Sequence, residues 1–241
     1  MNHSRLTAQM LGLAFAGCLF SSSATAISVF FEDFEGGGTS AAISGAGTNV
    51  ATAGFSAHGF GSGMLQNSTT GNPASSTTLT LTGLAAHTSI DLHFLLAVID
   101  SWDGSAGGCC QPDFFNVEID GISVFSESFS AFSASSQSFT AETGVALIER
   151  SSLGFTGFVD SAYNMGLQTT VFDGIAHTGS TLTIDFFASG SGWQGATDES
   201  FALDNIEVRL NGVVTTPEPA SLAMLGLGLA VLGFRRQPRT M

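Results

Sequence analysis

An alternation of leucine with hydroxyl-bearing residues is the clearest pattern in the middle of the chain. Residues 77–82 read TTLTLT, and residues 181–187 read TLTIDFF. Because successive side chains of a β-strand point to opposite faces, both stretches predict half-buried strands. Residues 89–99 (SIDLHFLLAVI) begin with an alternation and then become continuously apolar, which predicts a central strand.

A hairpin is predicted over residues 115–125, which read FNVEIDGISVF. Alternating apolar residues flank Asp120-Gly121, a dipeptide that favours the tight turn between antiparallel strands. Residues 27–34 (ISVFFEDF) and 200–210 (SFALDNIEVRL) predict a first and a last strand.

Glycine-, serine- and threonine-rich segments connect these predicted strands, and the body of the chain has no sustained helical period with capping signals. Phenylalanine, valine, isoleucine and threonine dominate its apolar pattern. The sequence therefore predicts one all-β domain over residues 27–214, a jelly-roll-type β-sandwich.

The first 26 residues, MNHSRLTAQMLGLAFAGCLFSSSATA, are typical of a secretory signal peptide. Arg5 supplies a positive start, residues 11–20 are apolar, and Ala24 and Ala26 are the small residues of a cleavage site. We therefore expect residues 1–26 to be removed on export and the mature chain to begin at Ile27.

The C-terminal segment, residues 215–241, departs from the strand pattern, because the prolines of Pro217-Glu218-Pro219 cannot donate to a sheet. Residues 220–234 carry no charge, and arginines follow within residues 235–239. As a helix the apolar run would be about 22 Å long, against a hydrocarbon core of about 30 Å. It predicts a short transmembrane helix whose arginines stay cytoplasmic. A last helix packed against the domain is the alternative.

Pro217-Glu218-Pro219, the glycine-containing apolar run, and Arg235 with Arg236 together resemble the PEP-CTERM sorting tail of Gram-negative bacteria. That tail is also called the ice-binding protein C-terminal domain, a label that does not indicate ice binding by this chain. The resemblance implies that exosortase, an inner-membrane cysteine transpeptidase, cuts the exported chain near the motif. The body would then pass to the cell surface or the exopolysaccharide matrix.

The charge of the chain narrows the choice of partners. Residues 27–216 hold nineteen acidic side chains against two basic ones, Arg150 and Arg209, and the whole chain has a formal net charge of −14 at pH 7. An acidic body is repelled by phosphate backbones and anionic lipids, which argues against nucleic acid and peripheral membrane partners. The negative charge of the body is more compatible with binding cations than with binding either of these partners.

Three acids, Asp100, Asp103 and Asp113, lie between the predicted central strand and the hairpin. With backbone carbonyls they offer the hard oxygen donors that Ca²⁺ requires. Their spacing is not that of an EF-hand loop, and Asp-Gly and Pro-Asp are also ordinary turn formers. A calcium site and a set of solvated turn residues are therefore both consistent with the sequence.

A fourth candidate calcium ligand, Asp204, lies in the last predicted strand. The segments Glu32-Asp33-Phe34-Glu35 and Leu203-Asp204-Asn205-Ile206 resemble the opening and closing strands of MAM-type and lectin-type jelly rolls. This resemblance implies that the two strands lie side by side, and that their acids sometimes join a cation site. Alternatively, Asp204 and Asn205 hydrogen-bond a neighbouring loop.

Two tryptophans and two cysteines of the predicted loops are further candidates. Trp102 and Trp193 would either stack on sugar rings or close the end of the core. Cys109 and Cys110 are adjacent, so in an exported protein they form a strained vicinal disulfide, an intermolecular bridge or two free thiols.

Catalytic residues are not predicted. Glu118 and Asp120 have a spacing that would suit a glycosidase, but Asp120 is better explained as the first turn residue, and no nucleophile motif is present. The sequence predicts an exported structural or adhesive protein of the surface or matrix. A calcium-dependent carbohydrate-binding module is the second hypothesis, and a glycoside hydrolase is the third.

Overall fold

The computed structural model describes residues 26–105, 112–155 and 157–213. Residues 1–25, Cys109 and Cys110, and the predicted sorting tail from residue 215 lie outside these ranges, so the expectations for them stay predictions.

Thirteen strands, β1 to β13, run through the described residues: Ile27–Glu32, Ile43–Gly45, Thr48–Ala51, Gly63–Asn67, Thr77–Thr82, Ser89–Asp100, Phe114–Ile119, Ile122–Ser128, Ala146–Ser151, Asp160–Asn164, Ile175–Ala176, Thr181–Ser189 and Glu199–Asn211. The described helical elements are short: 3₁₀ turns at Ala53–His58, Ala134–Ser136 and Met165–Leu167, and the helix α1 at Thr169–Phe172.

The strands form two antiparallel sheets that pack face to face. The larger sheet has the order β3-β4-β13-β6-β10-β9, with β1 also pairing with β13 and β11 with β6. The smaller sheet has the order β2-β5-β12-β7-β8. This two-layer arrangement confirms the predicted all-β sandwich.

Strand β6 shows how the sequence pattern becomes burial. Phe94 and Leu96 point into the core between the sheets. Leu95 and Ala97 point to the opposite face and join a second apolar cluster, which Phe55 of the first 3₁₀ turn covers. The alternating pattern becomes continuously apolar where this second face of the sheet is covered.

Strand β13 pairs with β6 along one side and with two shorter strands along the other. Strand β4 pairs with residues 201–203 and β1 with residues 206–210. The register shifts between Asp204 and Glu207, where Asn205 has a φ of 49°. The pairing of β1 with β13 confirms that the first and last strands lie side by side.

Candidate functional site

One end of the sandwich is closed by the loop from β6 to β7 and the loop from β12 to β13. We call it the loop end, and it comprises residues 100–105, 112–113 and 190–199. Ser101 joins the two loops, because its backbone N–H and its hydroxyl donate to the carbonyl of Asp198 at 3.3 and 2.9 Å. These hydrogen bonds connect the start of the first loop to the end of the second.

Two tryptophans fill the loop end from inside. Trp102 is fully buried, and its Nε1 donates to the carbonyl of Ser200 at 2.8 Å. Trp193 is 6 % exposed and packs edge to face against Trp102, with 5.2 Å between the ring centroids. Its Nε1 donates to the carbonyl of Thr69 at 2.9 Å. In this arrangement both rings close the end of the core, and neither presents a face on which a sugar could stack.

Three buried carboxylates, Asp103, Asp113 and Glu199, meet beside these tryptophans, and we call them the acidic triad. One potential ligand atom from each lies within 4.8 Å of the other two. Asp103 and Asp113 are joined twice, because the Asp103 N–H donates to Asp113 Oδ2 and the Asp113 N–H donates to the Asp103 carbonyl. The Glu199 carboxylate is held through Oε2 by the N–H of Gln194 at 2.9 Å.

Burial dominates the electrostatics of the triad. It raises the pKa of Asp113 to about 8, against the opposing hydrogen bond from Asp103 and with added repulsion from Glu199. It also raises the pKa of Glu199 to about 7, while the N–H groups of Gln194 and Gly195 oppose the shift. A hard cation would relieve this repulsion, so these residues could hold a metal ion.

Of the four predicted calcium ligands, the structure brings Asp103 and Asp113 together and keeps Asp100 close by. Asp100 stands opposite Glu199 in the register of β6 and β13. Its Oδ1 accepts from the N–H of Phe158 at 2.6 Å, and burial raises its pKa. Asp100 and Glu199 also line a cavity of about 220 Å³.

The fourth predicted ligand, Asp204, lies elsewhere, at the bulge of β13. It is fully buried, and its carboxylate accepts from the N–H of Gly61 at 3.2 Å and of Asn205 at 2.7 Å. The Asn205 side chain donates to the carbonyl of Gly59. Both residues therefore hydrogen-bond a neighbouring loop, which is the alternative that the sequence allowed. Burial raises the pKa of Asp204, and the nearby acids Glu35 and Asp33 add to this shift.

An exposed aromatic pair, which no sequence signal indicated, lies near the loop end. Phe132 is 58 % and Phe158 51 % exposed, and their rings meet edge to face at 5.6 Å between centroids. The N–H of Phe158 donates a hydrogen bond to the carboxylate of Asp100. The loop of Phe132 contacts the loop end through the N–H of Ala131, which donates to the carbonyl of Trp102 at 2.9 Å.

Two histidines that are distant in sequence meet at the opposite end of the sandwich. The ring nitrogens His87 Nε2 and His177 Nδ1 are 2.6 Å apart, and the rings are stacked. His177 Nε2 lies 3.1 Å from Asp120 Oδ2, in the turn between β7 and β8. Asp120 also accepts from the N–H of Thr183. Asp120 therefore forms part of the turn and also contacts His177.

A family comparison identifies the C-terminal segment. Residues 215–237 match the model of the PEP-CTERM protein-sorting motif. No curated protein matches the chain. Among the residues that the structure describes, no helix has the length and apolar character needed to cross a membrane.

Several solved structures are similar to the chain. The CBM22-1 xylan-binding domain of Paenibacillus barcinonensis Xyn10C has 14 % identity and a TM-score of 0.39, with 80 % of this chain and 100 % of that one covered. The CBM22-1 and GH10 modules of Clostridium thermocellum xylanase Xyn10B, complexed with xylohexaose, have 7 % identity and a TM-score of 0.37, with 81 % and 31 % covered. Dimeric latent PorU from Porphyromonas gingivalis has 14 % identity and a TM-score of 0.30, with 80 % and 14 % covered.

The chain therefore carries a PEP-CTERM sorting motif directly after its folded body, and this motif implies export and exosortase-mediated delivery to the surface or outside of a Gram-negative bacterium.

Proposed function

We propose that the chain is a non-catalytic structural or adhesive component of the bacterial surface or the extracellular polysaccharide matrix. The observation that carries this proposal is the sorting motif at residues 215–237. In this proposal residues 1–26 are removed on export, residues 27–214 are the mature domain, and residues 220–234 hold the precursor in the inner membrane until exosortase acts.

The position of the last strand supports removal of the tail. Strand β13 ends at Asn211, and the motif match begins at residue 215. Among the described residues, the last one enclosed in the core is Leu210, which is 1 % exposed. Cleavage near Pro217-Glu218-Pro219 would therefore leave every described strand and the whole described core intact.

Processing of the full chain in a Gram-negative host that contains an exosortase tests this function. We expect a shortened product in the surface or extracellular fraction, and full-length protein in the membrane fraction for Glu218→Ala. Glu118→Ala, on β7, is the matched control and should be processed like the parent. Parent protein that stays full-length in the soluble cytoplasmic extract would overturn the proposal.

Calcium-dependent carbohydrate binding is the second candidate function, and the exposed pair of Phe132 and Phe158 favours it. Exposed aromatic rings can stack on the apolar faces of sugar rings. The N–H of Phe158 donates to the carboxylate of Asp100, and the N–H of Ala131, which precedes Phe132, donates to the carbonyl of Trp102. Both rings therefore lie on segments that are hydrogen-bonded to the chain just before Asp103. Loss of order at the acidic triad would therefore disturb this aromatic surface.

Retention on immobilised polysaccharides tests the second candidate. We expect Phe132→Ala and Phe158→Ala to lose most of the retention, and a chelator to lower that of the parent. Phe31→Ala is the matched control, because Phe31 is 57 % exposed on β1. Equal retention of all variants would exclude the aromatic pair. Activity on a glycan panel that Glu118→Gln abolishes would instead support the glycoside hydrolase hypothesis.

A further inference from the structure

Two carboxylate oxygens of the acidic triad have no hydrogen-bond partner among the described residues, namely Asp113 Oδ1 and Glu199 Oε1. Asp113 is 0 % and Glu199 is 1 % exposed, so bulk water does not solvate them. The second oxygen of each carboxylate is already occupied by a backbone N–H. Native proteins rarely leave buried polar atoms unpaired, because each one costs about 1–3 kcal/mol. The two oxygens therefore point to a ligand.

A positive side chain does not fill this role. Residues 27–216 contain two basic side chains, and both pair with other acids. Arg150 contacts Glu149 at 2.8 Å, and Arg209 contacts Glu207 at 2.7 Å. Three converging carboxylates must therefore be neutralised from solution, by protons or by a cation, and a cation can contact all three at once.

We propose that Asp103, Asp113 and Glu199 bind one Ca²⁺ ion. Their ligand atoms lie within 4.8 Å of one another. Calcium–oxygen distances are about 2.3–2.6 Å, so oxygens on opposite sides of one ion are about 5 Å apart. The separation of the three ligand atoms is therefore compatible with contact to a single ion.

The donor set favours calcium over other common metals. All three side chains offer hard oxygens, whereas Zn²⁺ prefers nitrogen and sulfur ligands. Calcium tolerates irregular geometry and completes its shell with carbonyls and water, whereas Mg²⁺ demands a near-ideal octahedron. Magnesium therefore serves as the comparison ion in the test.

Such an ion would connect elements of both sheets. Asp103 follows β6 and Glu199 begins β13 in the larger sheet, while Asp113 precedes β7 in the smaller sheet. The site therefore fastens the two layers together at the loop end. It goes beyond the proposed function and does not depend on the sorting route, so either can fail alone.

Thermal unfolding of the purified full chain tests the site. After chelation, free Ca²⁺ at a hundred times its dissociation constant should raise Tm by about 5–10 °C, and Mg²⁺ at the same concentration should raise it less. Glu199→Gln and Asp113→Asn should unfold at or above the Tm of the chelated parent, because each removes one of three buried carboxyl groups that repel one another when ionised, and should not respond to Ca²⁺. Asp204→Asn is the matched control and should keep the full response. An unchanged parent Tm, or a response lost only in Asp204→Asn, would overturn the assignment.

Terbium luminescence gives a second readout on the parent itself. Tb³⁺ occupies calcium sites and emits when a nearby tryptophan is excited, and Trp102 directly precedes Asp103. We expect sensitised emission that Ca²⁺ displaces and that Glu199→Gln lowers at least tenfold. Emission that does not change in Glu199→Gln would contradict the site even if the variant proves unstable.

Discussion

Trp102 lies two residues beyond the end of β6, and its whole side chain is enclosed. Its ring packs perpendicular to Phe129 at 6.0 Å and against Trp193 at 5.2 Å between centroids. Its Nε1 reaches the carbonyl of Ser200, in β13. One residue therefore combines packing between the sheets with a hydrogen bond between the loop end and the last strand.

Trp102→Ala should lower the free energy of unfolding by about 3–5 kcal/mol, because it removes a large buried ring and leaves a cavity between the sheets. Denaturant unfolding in the presence of Ca²⁺ measures this loss. Phe132→Ala is the control and should change stability by less than about 1 kcal/mol, since Phe132 is largely exposed. Similar losses for both variants would show that Trp102 is not part of the core.

Asp204 provides a pH-dependent contribution to stability. Burial raises its pKa to about 7 from the usual aspartate value of 3.8, against the hydrogen bonds from Asn205 and Gly61. Because the folded-state pKa is the higher one, the stabilising effect of the proton is complete below 3.8 and is lost as pH rises through about 7. In chelator, the parent should lose this stabilisation between about pH 4 and pH 7, by about 1.4 kcal/mol per unit of pKa shift. Asp204→Asn should reduce this loss, and equal pH profiles for the two proteins would contradict the assignment.

The hairpin of β7 and β8 shows an element that local sequence determines. Asp120 and Gly121 have φ values of 50° and 76°, as a tight turn of this kind requires. Asp120 also accepts from the N–H of Thr183 in β12, which fixes the hairpin to the sheet. Local turn chemistry and one neighbouring contact together define this corner.

Gly121→Ala should lower stability by about 1–2 kcal/mol, because an alanine in left-handed backbone is strained. A Cβ at Gly121 would meet no atom within 4 Å, so the loss would come from backbone strain and not from a clash. Gly36→Ala is the matched control: it is equally free of contacts and has no positive φ. Equal stability of the two variants would show that the turn relaxes without cost.

Regular alternation made several strands predictable, including β5 and the hairpin. Strand β4 was not predicted, because its residues are buried on both faces and show no alternation. Strand β10 was missed because it reads Asp-Ser-Ala-Tyr-Asn, a polar sequence that is nevertheless buried.

The candidate site was predictable only in part. Asp103 and Asp113 are near in sequence, whereas Glu199 joins them through the pairing of β13 with β6. Spacing along the chain contains no signal for such a contact. A hypothesis that the last strand pairs with the central one would have placed Glu199 opposite Asp100.

The two ends of the whole molecule have different roles. Strand β13 begins with Glu199 at the loop end and reaches the other end at Asn211, opposite Ser89. The sorting motif follows shortly after Asn211. In the proposed membrane-held precursor, the acidic triad and the exposed phenylalanines would therefore lie at the end of the sandwich that is farther from Asn211.

Folding and sorting should be separable, because the described core is complete before the motif begins. A chain that ends at Val214 should match the full chain in stability within about 0.5 kcal/mol and keep its response to Ca²⁺. A chain that ends at Glu207 should fail to fold, since it lacks Val208 and Leu210, which are 0 % and 1 % exposed and pair with β1 and β6. Thermal unfolding of the three chains in the same detergent measures both effects. If the Val214 chain unfolds at a much lower temperature, the tail is packed against the domain, and the apolar segment cannot act as a removable membrane anchor.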